Sequence, residues 1–364
     1  MTKIAILMQS ARRLVRHVCE HRPRPVDLLV VLGLALVAAP APAAAGTLDE
    51  VNDRGYLRCG VIASGIGLSE IDDMGVWQGF FPDFCRYLAA AVLGDGDAIE
   101  FVEVNYVNRF DALNDGAFDI LMANTTWTAS RDADYDLAFT HPLFYDGQGL
   151  LAHSSVGATS LDDLAGRSGV TVCVSEGTTT IGNLREVNAT YDLMLDIIAF
   201  QSIESVYTSF YTHQCDMMTQ DRVALVSQLL NRASNPQDYV LFTDVISKEP
   251  LGPVVRQDDQ EWFDAVQWAM FSSMIAEEHG VTRDGVGEVT APQSPELRRL
   301  LGIDPGMGAI IGLPETWARD AVSQVGNYAE IYERTLGAGS TLGLERGLNA
   351  LWTDGGLLYA PPLR

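Results

Sequence analysis

Three short segments carry the side chains best suited to chemistry. Asn124-Thr125-Thr126-Trp127-Thr128-Ala129-Ser130-Arg131 sets a hydroxyl three residues ahead of a guanidinium. An Arg fork matches a carboxylate with two parallel hydrogen bonds, which Lys cannot do. The same spacing also fits a surface Arg behind a helix-capping Thr. Glu176-Gly177-Thr178-Thr179-Thr180 falls between a strand pattern and a helix pattern. Free N–H groups at a helix start attract an anionic oxygen and Gly lets it approach, although a plain capping turn reads the same way. Gln220-Asp221 closes another strand pattern. Its carboxylate suits an ammonium group or, equally, a helix cap. Together the three segments address one carboxylate and one ammonium, the two groups an α-amino acid bears on a single carbon. Buried charges persist only when paired, so such a site closes only around such a ligand.

The elements that must position these segments follow from hydropathy. Strand patterns at Tyr56–Ile62, Ala98–Val104 and Phe118–Met122 alternate with helices at Phe84–Leu93 and Arg109–Asn114. This predicts a largely parallel sheet with functional loops at its strand ends. After Tyr145 the pattern restarts with strands at Gly149–His153, Val170–Val174, Asp192–Phe200 and Cys215–Thr219. Ser160 is placed to cap a helix over 160–164, and Val223–Leu230 reads as a helix. Leu251–Arg256 is the returning strand, followed by a helix over 262–278. The expectation is two α/β lobes joined by two strands: residues 46–148 plus 250–304 in one, 149–249 in the other. Loops facing across a cleft suit closure on a ligand. Residues 305–364 form a separate extension, with Pro314 at a helix start and Trp317, Ala321, Val325, Tyr328 and Tyr332 at helical spacing. That stripe, and a second of Leu344, Leu348 and Leu351, is expected to pack on a lobe.

Composition narrows the function classes. The 364 residues hold 24 Lys+Arg against 48 Asp+Glu, a net charge of −24, which argues against nucleic-acid binding. With 47% apolar and 20% charged residues, global disorder is excluded. Lys3 and five arginines precede an apolar run from Val26 to Ala39, and Ala43-Ala44-Ala45 follows. Basic, apolar and small segments in that order predict an export signal over residues 1–45. Its removal leaves Cys59, Cys85, Cys173 and Cys215, an even number in an oxidising compartment. Of the three possible pairings, Cys59–Cys85 and Cys173–Cys215 are favoured, each within one expected lobe. Metal binding is the rival reading, but no close Cys-x-x-Cys occurs, and His141, His153, His213 and His279 are scattered.

At these residues the chain resembles the periplasmic amino-acid-binding proteins of ABC importers. Gly75-Val76-Trp77-Gln78-Gly79-Phe80-Phe81-Pro82-Asp83 is similar to their Gly-x-Trp-x-Gly-Phe-Asp-x-Asp signature. Arg109-Phe110-Asp111-Ala112-Leu113-Asn114-Asp115-Gly116 with Asp119 resembles Arg-x-x-Ala-Leu-x-x-Gly-x-x-Asp. Thr128–Arg131 with Phe139-Thr140-His141-Pro142 resembles Thr-x-x-Arg and Phe-Ser-x-Pro. Tyr145–Gly149, Ser175–Thr180, Ile246–Val255 and the tail segments Gln324–Tyr328, Arg346–Trp352 and Tyr359–Pro362 are similar to the general L-amino-acid-binding subfamily.

The resemblance implies a two-lobed type II periplasmic-binding α/β fold that takes glutamate, glutamine, aspartate, asparagine and other L-amino acids. It implies delivery to inner-membrane ABC permease subunits, a monomer, and no cofactor. Arg131 would hold the ligand α-carboxylate with Thr128, Thr178 and the N–H of Thr179. Asp221 and the carbonyl of Thr126 would take the α-ammonium. Where the family stacks an aromatic on the ligand, this sequence has Leu68, and Tyr106 lies where some members have the opposing ring. An enzyme on the same scaffold, a dehydratase or lyase, is the alternative. It would draw its acid or base from Glu70 or Glu176, neither of which has a His partner.

Overall fold

The computed structural model describes residues 45–364. The expected export signal, apart from Ala45, lies outside the described residues, as does Cys19. The chain enters through helix α1 (Thr47–Arg54) and strand β1 (Leu57–Val61). A small hairpin, β2 (Glu70–Ile71) and β3 (Trp77–Gln78), leads into α2 (Phe80–Leu93). Then come β4 (Ile99–Glu103), α3 (Arg109–Asn114), β5 (Ile120–Leu121), α4 (Ala129–Asp134) and β6 (Leu137–Phe139). Strand β7 (Phe144–Asp146) opens the second run: β8 (Gln148–His153), β9 (Thr171–Ser175), α5 (Thr179–Thr190), β10 (Asp196–Phe200) and α6 (Ile203–Tyr211). It continues through β11 (Met217–Asp221), α7 (Arg222–Arg232) and β12 (Tyr239–Leu241). The return is made by β13 (Glu249–Leu251) and β14 (Val254–Arg256). Helices α8 (Gln260–Glu278), α9 (Pro295–Leu300), α10 (Met307–Ile310), α11 (Trp317–Val325) and α12 (Tyr328–Thr335) complete the order.

Two five-stranded sheets result, β4-β1-β5-β14-β6 and β10-β9-β11-β8-β12. In each, three neighbouring strands run parallel and the rest pair antiparallel. Antiparallel β7 and β13 connect them, one carrying the chain out of the first sheet and the other back. Gly46–Arg364 forms one compact unit.

Local chemistry explains where elements depart from the sequence pattern. Helix α2 starts at Phe80 rather than Phe84, because Pro82 is tolerated in a first turn whose N–H groups lack partners anyway. The expected strand 251–256 is two strands, broken at Gly252-Pro253, where Pro supplies no ladder N–H. The strand expected from Asp192 begins at Asp196, since Asp192 and Met194 both take left-handed φ near 51°. Ser160 caps no α-helix: the carboxylate of Asp163 accepts the N–H groups of Thr159 and Ser160, and only a 3₁₀ turn, Asp162–Leu164, forms.

The favoured disulfides are the ones found. Cys59–Cys85 ties β1 to α2, and Cys173–Cys215 ties β9 to the approach of β11.

The apolar stripe of the tail is not one helix. Gly326, at φ 103°, ends α11, and an Asn327–Glu330 capping box starts α12. Trp317, Ala321, Val325, Tyr328 and Tyr332 remain buried. Tyr328 and Tyr332 join Phe80, Phe84 and Phe144 in one aromatic cluster, and the Tyr328 hydroxyl donates to the Leu143 carbonyl at 2.6 Å. The Leu344–Leu351 stripe forms no α-helix, only a 3₁₀ turn at Gly347–Asn349, and Leu348 is exposed.

Candidate functional site

From the first sheet, the loop after β5 supplies Asn124 and Thr126, and α4 supplies Arg131. Arg131 is buried, and its Nη1 donates to the Thr126 carbonyl at 2.9 Å, across the face of Phe110. The loop between β4 and α3 brings Tyr106, whose hydroxyl donates to Asn124 Oδ1 at 3.1 Å. Asn124 passes the network on, its Nδ2 donating to Asp221 Oδ2 at 2.7 Å. From the second sheet come Thr178 and Thr179 at the start of α5, and Asp221 at the end of β11. Gly177 makes the junction possible: at φ 69° it takes a left-handed conformation, and a Cβ there would lie 2.8 Å from the Tyr106 carbonyl.

Tyr106, Thr126, Arg131, Thr178, Thr179 and Asp221 therefore line one narrow cavity, with both sheets contributing. Thr128 does not line it. It is the N-cap of α4, and its Oγ1 accepts the Arg131 N–H at 3.3 Å. Leu68 does not line it either. Its side chain is fully buried in the apolar core of the first sheet, where an apolar group gains most. A larger open cleft of about 670 Å³ lies between residues 66–86 and the tail; Glu70 lines it, and none of the expected ligand-binding residues does.

Sequence reasoning gave no ligand role to four wall residues, three of them inside the segments it singled out, and missed one neighbour. Arg109, Asn124, Thr180 and Gln220 share the cavity wall. Arg109 donates to the carbonyls of Tyr106 and Gly177, bridging the two sides, while its buried Nε–H has no partner. Its signal was present in the Arg-x-x-Ala-Leu segment but was absorbed there as a family signature. Glu249 on β13 is buried and accepts from Thr126, Thr179, Asn183 and Ser247. Little local marks it, because apart from Ser247 its partners come from the distant loop after β5 and from helix α5.

Residues 57–279 match the profile of the bacterial extracellular solute-binding proteins, family 3. The chain belongs to that family. It is 40% identical over 340 residues to the general L-amino acid-binding periplasmic protein of Rhizobium johnstonii, covering 93% of this chain and 98% of the relative. The glutamate/glutamine/aspartate/asparagine-binding protein of Rhodobacter capsulatus is 42% identical over 335 residues, 91% and 97% of the two chains. A solved ABC transporter periplasmic binding protein from Brucella ovis with glutathione bound superposes with a TM-score of 0.84. It is 40% identical, and the match covers 88% of this chain and 100% of that one.

In this solute-binding protein the cavity penalises unpaired charge of either sign. Burial raises the Asp221 carboxyl well above its usual range, Asp146 and Glu249 raise it further, and Asn124 and Arg131 oppose them. Burial pushes Asp146 up to about 6. Burial also weakens the charge of Arg131, which Glu249 and Asp221 partly support. Arg109 is pulled down by burial and then by Arg131. Burial raises the Tyr106 phenol, which stays a neutral donor. Such a site gains most from a ligand that brings both an anion and a cation. Among the described residues no helix is long and apolar enough to cross a membrane.

Proposed function

We propose that this chain is the periplasmic capture component of an ABC importer for polar L-amino acids: glutamate, glutamine, aspartate, asparagine and others. It would deliver them to inner-membrane permease subunits after removal of residues 1–45. One observation carries the reading: Arg131 and Asp221, reached from opposite sheets, line the same narrow cavity among polar side chains. Arg131, with the N–H of Thr179 and the hydroxyl of Thr178, takes the α-carboxylate, and Asp221, with the Thr126 carbonyl, takes the α-ammonium. Arg109, with its unpartnered Nε–H, suits a side-chain carboxylate or carboxamide oxygen. Residues 46–148 with 250–304, and residues 149–249, act as lobes that close on the ligand by bending at β7 and β13. The extension 305–364 stays on the first lobe. The role is binding, not turnover: Glu70 and Glu176, the carboxylates an enzyme reading would use, are not on the cavity wall. The names of the relatives support the same choice.

Titration calorimetry with L-glutamate tests the site. Arg131→Ala and Asp221→Ala are each expected to lose more than about 2 kcal/mol of binding free energy, because the partner charge is left buried and unpaired. Normal affinity in either variant refutes the assignment. A second reading comes from the glutathione in the Brucella ovis structure. The γ-glutamyl end of that peptide carries a free α-carboxylate and α-ammonium, so the same head-group contacts would hold it. Tighter binding of glutathione than of glutamate would favour this reading.

A further inference from the structure

Helix α7 begins without help from the residue at its N-cap. Asp221 occupies that position with φ −53° and ψ 137°, yet its carboxylate accepts no N–H of the helix. A helix start leaves up to four N–H groups without intrahelical partners, and Asp is among the side chains that satisfy them best. Here a remote dipeptide takes the first two. The N–H of Arg222 donates to the Gly147 carbonyl at 2.9 Å, and that of Val223 donates to Asp146 Oδ2 at 3.0 Å. Asp146 ends β7, the connecting strand, and is paired there with Glu249 of β13. Gly147 also lets the 245–247 segment pack closely: a Cβ there would lie 2.2 Å from Val245 Cγ1 and 2.9 Å from the Ser247 carbonyl.

We propose that Asp146 is a positioning residue for ammonium recognition, capping α7 in place of Asp221 and so leaving the Asp221 carboxylate on the cavity wall. The inference rests on the reading that Asp221 takes the α-ammonium. Without Asp146, the side chain best placed by sequence to take the Val223 N–H is that of Asp221 itself. Capping would then compete with the ligand for one carboxylate. The Asp-Gly pair at 146–147 thereby gains a role that its own contacts with the ligand would not give it.

The test is glutamate calorimetry on the full chain with Asp146→Ala, Asp146→Asn and Asp221→Ala, each checked by thermal unfolding without ligand. Asp146→Ala is expected to weaken glutamate at least about tenfold while the melting temperature changes little, since Asp221 takes over the cap. Asp146→Asn keeps an oxygen that can accept the Val223 N–H, and it should stay within about threefold of the parent. Unchanged affinity in Asp146→Ala, alongside loss in Asp221→Ala, overturns the positioning role and leaves the head-group site intact. If Asp146→Ala fails to fold, Asp146→Asn decides. Affinity within threefold supports the proposal, and a loss as large as that of Asp221→Ala overturns it. Full affinity in Asp221→Ala is a different result, because it removes the head-group reading itself.

Discussion

The two sides of the cavity treat the same kind of residue in opposite ways. On the first-sheet side, Thr128 stands at the N-cap of α4, and its hydroxyl accepts a helix N–H, so it is occupied as a cap. On the second-sheet side, Thr178 and Asp221 stand at the N-caps of α5 and α7, and neither side chain caps its helix. Thr178 donates to the Ser175 carbonyl at 2.8 Å, and both residues face the cavity. The backbone at a helix start can be satisfied by a group other than the N-cap side chain. For α7 that is Asp146 and Gly147, more than seventy residues upstream. The expected aromatic clamp divides in a similar way: Tyr106 reaches the wall, while Leu68 belongs to the core.

This contrast can be sharpened by substitutions that separate stability from affinity. The largest stability effect is expected at Leu68. Leu68→Ala removes fully buried apolar surface and should cost about 2–5 kcal/mol in urea unfolding, with glutamate affinity changed little. An equal loss of affinity with unchanged stability would place Leu68 at the ligand after all. Thr128→Ala removes a working cap and should cost about 1 kcal/mol of stability with affinity within about threefold. The reverse pattern, intact stability and lost binding, would erase the distinction drawn between Thr128 and Asp221.

The pH response is the subtlest discriminator. Burial, Asp146 and Glu249 raise the Asp221 carboxyl, against Asn124 and Arg131. A carboxyl raised in the folded state stabilises the empty protein below its unfolded value of 3.8, and that contribution is lost as pH rises through the folded value. Asp146 behaves likewise, its contribution being lost as pH rises from 3.8 to about 6. A ligand ammonium needs the ionised Asp221, so binding should release protons wherever the empty protein holds that carboxyl protonated, and weaken on acidification. The thermal shift produced by glutamate should therefore be larger at about pH 8 than at about pH 5. A shift independent of pH would mean that Asp221 does not meet the ammonium.

Much of the fold was legible because it rests on local signals. The two α/β runs, the return strand and the long helix α8 follow from hydrophobic periodicity, and α3 lies over Arg109–Asn114 as the spacing implied. Boundaries failed where backbone conformation overrode hydropathy, at Asp192, Gly252-Pro253 and Gly326. The site was legible in part: the three segments at strand-to-helix junctions do converge on one cavity. Glu249 was not, since its importance lies in hydrogen bonds to Thr126, Thr179 and Asn183, which are distant in sequence.

The sequence by itself determined which residue types wait at each junction, because strand ends, turn glycines and cap residues are chosen by forces acting over a few residues. It also supplied the four cysteines that form the two bridges. Only the tertiary structure decided which of the polar residues at helix starts are free to meet a ligand. That depends on whether a distant carbonyl or carboxylate has already taken the helix N–H groups, and such pairing is possible only once the chain has packed.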